Sequence, residues 1–249
     1  MSLKRVVSVV RKEVREFRRN RFVIVTMGVL PFIFLITPMI TIFRIPASAS
    51  GLQVKAAVGV ISLLMLIIPI VIPPVIAAYS VIGERDQGTL EPVLTAPVRA
   101  SELLVGKAVA AFLPSVAIAY GIYFVVLISV RFGAAHVVRT VIFHPPQLLA
   151  QILFTPLLAL WSIWVGIGIS TRASDVRVAQ QLATVGGLPL LALTSLLSFQ
   201  VIKPSVTLAI ACALALLVAD IAAWRIVSRL FDRERLVTGR RTSAASPED

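Results

Sequence analysis

The chain has 249 residues, 58% of them apolar and only 14% charged, with a mean hydropathy of +0.94. That excludes a soluble domain, which is nearer ~45–50% apolar and ~25% charged, and it excludes a disordered chain. A single cysteine, Cys212, excludes a disulfide framework and a cysteine-ligated zinc site, and the net charge of +12 has to be understood from where its 24 basic residues sit.

Residues 1–21 are basic but patterned. Leu3, Val6, Val7, Val10, Val14 and Phe17 recur at spacings of three and four and form one apolar stripe, with Lys and Arg on the opposite face. This predicts an interfacial helix, its stripe in the acyl boundary and its cations among anionic headgroups. Lys12, Glu13, Glu16, Phe17 and Arg18 are its candidate contact residues. The alternative is a solvated tail that only sets topology.

A bilayer-crossing helix needs about 20 mostly apolar residues. Six segments meet that length: 22–43, 56–82, 108–130, 147–169, 178–202 and 204–224. They are continuously apolar and about twice as long as a barrel strand, so the predicted fold is an all-α bundle of six spans. Pro69, Pro73 and Pro74 predict a bent or locally unwound second span, and Gly186 and Gly187 with Pro189 predict the same for the fifth. Such breaks serve either as hinges or as packing accommodations. Asp220 is the one carboxylate inside a predicted span. It lies about a turn from Trp224 and Arg225, so pairing with Arg225 or another boundary cation is expected ahead of a substrate or proton role. Residues 225–249 read as a basic tail with a disordered end.

Between spans two and three, segment 83–107 holds four of the twelve acids: Glu84, Asp86, Glu91 and Glu102. Gly88 can end the incoming helix, Thr89 can cap a short new one, and Glu91 stands in its first turn. Pro97 closes that element and Ser101 can cap the next. The result is a short helix lying across the mouth of the bundle, with Leu90, Val93 and Leu94 on its apolar face.

The basic residues alternate between sides. The N-terminal segment carries eight, the loop after span two three, the loop after span four two and the C-terminal segment six. These nineteen face five on the other side. By the positive-inside rule both termini are expected in the cytoplasm, and the excess is a topology signal rather than a nucleic-acid footprint. The first apolar run spans fully and lacks a small-residue cleavage site, so no cleavable signal peptide is expected.

The run Glu84-Arg85-Asp86-Gln87-Gly88-Thr89-Leu90-Glu91-Pro92-Val93-Leu94-Thr95-Ala96-Pro97-Val98 resembles the E-[RK]-x-x-G-T-[LM]-E-x-L-L-x-[ST]-P-V pattern of ABC-2 transporter permeases. Glu102-Leu103-Leu104-Val105-Gly106-Lys107 is similar to that family's continuation. The segment 12–21, KEVREFRRNR, is similar to its K-E-[LF]-x-x-x-x-R-[ND]-[RP] opening. Pro92 and Val93 depart from the pattern, where a helix former and leucine are usual. The resemblance implies one half of an ATP-driven transporter, an exporter in the plasma membrane of a prokaryote, paired with a second permease subunit as a homo- or heterodimer. It also implies separate ATPase subunits. The N-terminal helix and Glu84, Arg85, Gly88, Thr89, Leu90, Glu91, Leu94 and Glu102 would meet the ATPase, and spans two and five would line the path. ATP and Mg would be bound through the partner, with no cofactor, metal or catalytic residue on this chain and no nucleic-acid partner.

The chain lacks the Gly-x-x-x-x-Gly-Lys-[Ser/Thr] loop that cradles nucleotide phosphates; Gly106-Lys107 is followed by Ala108. His136 and His144 fall between spans three and four, where a lone pair is more often surface chemistry than a metal site. Two other classes compete. An ion-gradient-driven transporter needs ionisable residues at mid-membrane, and a membrane enzyme acting on lipids needs a cluster of acids, histidines or a nucleophile at one face. The chain has almost none of the former and lacks the latter. The mainly aliphatic spans suit an amphipathic or lipid-like substrate.

Overall fold

The structure is a computed structural model that describes residues 2–46, 48–86, 100–173, 175–199 and 205–243. Among these residues there are eight helices and no strand. They are α1 (Leu3–Phe17), α2 (Arg21–Arg44), α3 (Gly51–Asp86), α4 (Ala100–Gly133), α5 (His136–Ile142), α6 (Pro145–Ser170), α7 (Val176–Ser198) and α8 (Val206–Ser243). Six, α2, α3, α4, α6, α7 and α8, are long and apolar enough to cross a bilayer. The molecule is a polytopic all-α membrane protein.

Local chemistry sets the helix starts. Asn20 Oδ1 accepts the Val23 N–H at 3.3 Å ahead of α2. Asp175 Oδ1 accepts the Arg177 N–H at 2.6 Å ahead of α7, and Ser205 Oγ accepts the Leu208 N–H at 3.1 Å ahead of α8. Pro145 and Pro146 occupy the first turn of α6, where a missing N–H leaves no bond unmade.

The helices overrun the apolar segments that announce them. A span ends in sequence where hydropathy falls, but a helix continues while its residues tolerate it. α3 therefore reaches Asp86, α4 begins at Ala100, and α8 continues without a break to Ser243. Residues 225–243, expected as a tail with a disordered end, are helical. The stretch expected as plain loop between spans three and four contains the seven-residue helix α5. α3 is also helical without interruption through Pro69, Pro73 and Pro74, and α7 through Gly186, Gly187 and Pro189, so neither span is locally unwound.

Packing centres on α3 and α6. α3 lies against α2, α4, α6 and α7, and α6 against α8, α7 and α4. Of the apolar window of α3, 72% is buried inside the chain, against 17% for α2 and 22% for α7. Val60, Leu63, Ile67 and Val71 leave only a narrow half-exposed stripe along α3. Ile24, Phe32, Ile36 and Phe43 on α2, and Val178, Leu182 and Val185 on α7, present broad exposed apolar faces. Span two is thus mainly an internal strut of the subunit, with a thin accessible edge.

Gly186 and Gly187 explain how closely the struts approach. A Cβ on Gly186 would lie 2.8 Å from Val165 Cγ1 of α6, and one on Gly187 would lie 2.5 Å from Ile70 Cγ2 of α3. Trp161 Nε1 donates to the Gly186 carbonyl at 2.9 Å. Here these glycines are close-packing positions.

Candidate functional site at the α1 end of the bundle

The apolar stripe of α1 is shared between two surroundings. Val6 and Phe17 are buried, with Val9 and Val10 half-buried, and α1 packs against α4. Leu3, Val7 and Val14 remain exposed beside the arginine face. The expectation that the whole stripe lies in the acyl boundary is corrected accordingly: half of it is committed to protein.

α4 carries the matching surface. Gly106 provides a flat place for α1 to rest, because a Cβ there would lie 2.5 Å from Val9 Cγ1 and 2.7 Å from Val9 Cβ. One turn earlier, the buried Glu102 accepts the Ser2 backbone N–H at 2.6 Å, with its other oxygen 3.5 Å from Arg5 Nη1. A carboxylate at that point satisfies an N–H at the start of α1 and meets the positive end of its dipole.

Lys107 follows Gly106 and is fully buried. Its ammonium donates to Glu13 Oε1 of α1 at 2.7 Å and to the Ser80 carbonyl of α3 at 2.6 Å, and forms an ion pair with Glu84 Oε2 of α3 at 2.8 Å. Lys12, half-exposed, binds the other oxygen of Glu84 and lies 3.4 Å from Glu16 Oε1. A buried ammonium is tolerable only with such complete pairing. The network therefore ties α1 to the end of α3 and the start of α4. The 13 residues numbered 87–99 join α3 to α4, so this network closes the base of that segment.

The electrostatics follow from burial and pairing. Burial, the largest influence, pushes the Glu13 carboxyl above its ordinary value, against the opposing pull of Lys107. Burial alone would lower Lys12, but the hydrogen bond and charge of Glu84 outweigh it and hold Lys12 above 10.5. Oxygens of Glu13, Glu16 and Glu84 come within 4.8 Å of one another, a spacing that can suit a cation. Two ammonium groups, Lys107 and Lys12, already pair with all three, and the arrangement is an ion-pair network.

The remaining expected site residues distribute as follows. Glu84, Glu102, Lys12, Glu13, Glu16 and Phe17 lie at the α1 end, and Arg18 lies with Arg11, Arg15 and Arg19 around an open groove of about 500 Å³. Of Arg85 only the helical backbone is described, and Gly88, Thr89, Leu90, Glu91 and Leu94 lie outside the described residues. Lys107, Gly106, Ser80 and Ser2 were not among the expected contacts. A signal for Lys107 exists: a lysine entering an apolar helix needs an acid, and few acids are available. Asp220 makes no hydrogen bond or ion pair among the described residues, and Arg225 is exposed. The expected pairing of these two residues is not formed.

Six apolar helices joined to the amphipathic α1 through buried charges define a multi-pass membrane protein. Residues 7–201 match the model of a family described as ABC-2 family transporter protein. That match covers most of the chain, which belongs to the ABC-2 family: it is a membrane permease, a transport subunit of an ABC transporter. A search among curated proteins finds no match.

Proposed function

We propose that this permease is one half of an exporter, forming the substrate path with a second permease subunit and driven by separate ATPase subunits that bind at the α1 end. Both termini then lie in the cytoplasm of a prokaryote, with the chain in its plasma membrane. The observation that carries this reading is the Glu13–Lys107–Glu84–Lys12 network at the base of segment 87–99. Force applied to that segment reaches α1, α3 and α4 together, because one buried ammonium holds all three. α3 then presses on α6, and α6 on α8. The chain has no phosphate-cradling loop of the Gly-Lys-[Ser/Thr] type, so ATP and Mg are assigned to the partner.

The aliphatic faces favour an amphipathic or lipid-like substrate. Tagged permease purified in mild detergent is expected to bring down an ATPase bearing a phosphate-binding loop. A chain that purifies alone and transports alone contradicts the proposal.

A further inference from the structure

The geometry points to Asp220 as a proton-binding site inside the bundle: its carboxyl is a neutral acid while α8 lies against α6, and it releases the proton only when these helices part. Asp220 belongs to the buried stripe Ala209, Ala213, Leu216, Asp220, Ala223, Val227 of α8, spaced by four and three throughout. That stripe meets α6. The Trp164 and Trp224 rings cross edge to face at 4.9 Å, and a Cβ on Gly168 would lie 3.2 Å from Val227 Cγ2. This register sets Asp220 about level with Leu160. Asp220 is 4% exposed, lies five residues before the exposed Arg225, and has both oxygens sealed from solvent without a hydrogen-bond partner among the described residues.

Among the described residues no counter-charge faces it. α6 has no ionisable residue between Pro145 and Ser170. The one charged side chain of α7, Arg177, is exposed, as are Arg225 and Arg229 on α8 itself. On α4, Glu102 and Lys107 are engaged with α1 and α3, Tyr120 donates to the Ile152 carbonyl, Arg131 is exposed, and Tyr123 is a neutral buried phenol. An isolated carboxylate in such surroundings takes up a proton rather than keep its charge. A metal ion or an amine would need contact with oxygens that a water-sized sphere does not reach. A proton needs no space. Ionisation requires water at the oxygens, and water requires separation of α6 from α8, so each event favours the other.

Infrared spectra of the full-length permease in lipid, prepared with and without carboxyl-13C aspartate, test this directly. At neutral pH a neutral-acid C=O band is expected that shifts down with the isotope, which sets it apart from Glu13. It should be absent from Asp220→Asn and lost from the wild type on alkaline titration. Tryptophan emission should shift to the red over the same titration in the wild type and stay constant in Asp220→Asn. Absence of an isotope-sensitive neutral-acid band in the wild type at neutral pH overturns the proposal, whether or not the variant folds. A band that is lost with no change in tryptophan emission overturns the link to helix separation.

Discussion

Lys107 pairs with two buried carboxylates, so its removal takes away the ammonium that Glu13 binds and one of the two that hold Glu84. Replacing one partner of a buried pair costs about 3–5 kcal/mol, most of it from the charge left behind. Lys107→Ala should therefore lower the melting temperature of the purified permease sharply. Adding Glu13→Gln and Glu84→Gln should restore much of the loss; a triple variant no better than Lys107→Ala means that packing, not charge, dominates. The pH dependence has a definite sign. Glu13 has a folded value above its unfolded one, so its contribution to docking α1 is complete below the unfolded value and declines as pH rises through the folded one. Lys12 is also raised, so its contribution is complete below 10.5 and lost once pH exceeds its folded value. Both loosen α1 toward alkaline pH. Hydrogen-exchange protection of α1, corrected for intrinsic rate, should fall in that direction; a rise contradicts the assignment.

At the scale of elements, α1 stays on α4 because Gly106 lets it. Gly106→Val drives a side chain into Val9, while Glu102 and Lys107 still pull the helices together. The prediction is faster tryptic cleavage at Arg11, Arg15 and Arg18, with partial rescue by Val9→Ala. Cleavage at the wild-type rate would show that the close approach is dispensable. The six spans were legible in the sequence because apolar length is a local signal that lipid imposes. Their ends were not, because the helix continues past the last apolar residue, as in the 225–243 part of α8. The split of the α1 stripe was not legible either. Periodicity reveals an apolar face but not what covers it, and Glu13, a charged residue on the buried side, makes sense only once Lys107 faces it. Pro69, Pro73 and Pro74 do not unwind α3: neighbouring helices pack around them, and α3 remains helical throughout.

In the whole molecule, α3 and α6 form the interior, while α2 and α7 expose broad apolar faces. That division could not be read from composition, since the exposed α2, with a mean hydropathy of 2.4, is nearly as apolar as the buried α3 at 2.7. It rests on which small residues allow close approach, such as Gly187 against Ile70. Gly187→Leu should therefore separate α7 from α3 and destabilise the bundle by about 1–3 kcal/mol, the usual range for overpacking; an unchanged melting temperature would remove Gly187 from the packing. The family resemblance was legible in the 84–107 run, whereas the contact that gives it mechanical sense joins residues 94 positions apart, Glu13 and Lys107. In the proposed transporter the Glu13–Lys107–Glu84 network is the base through which ATP hydrolysis moves the spans. Substrate-dependent ATP turnover by the permease–ATPase complex in proteoliposomes, compared between wild type and Glu84→Ala, tests it most directly. Assembly should survive and substrate stimulation should fall to near the unstimulated level; full stimulation in the variant would show that the network does not transmit the motion.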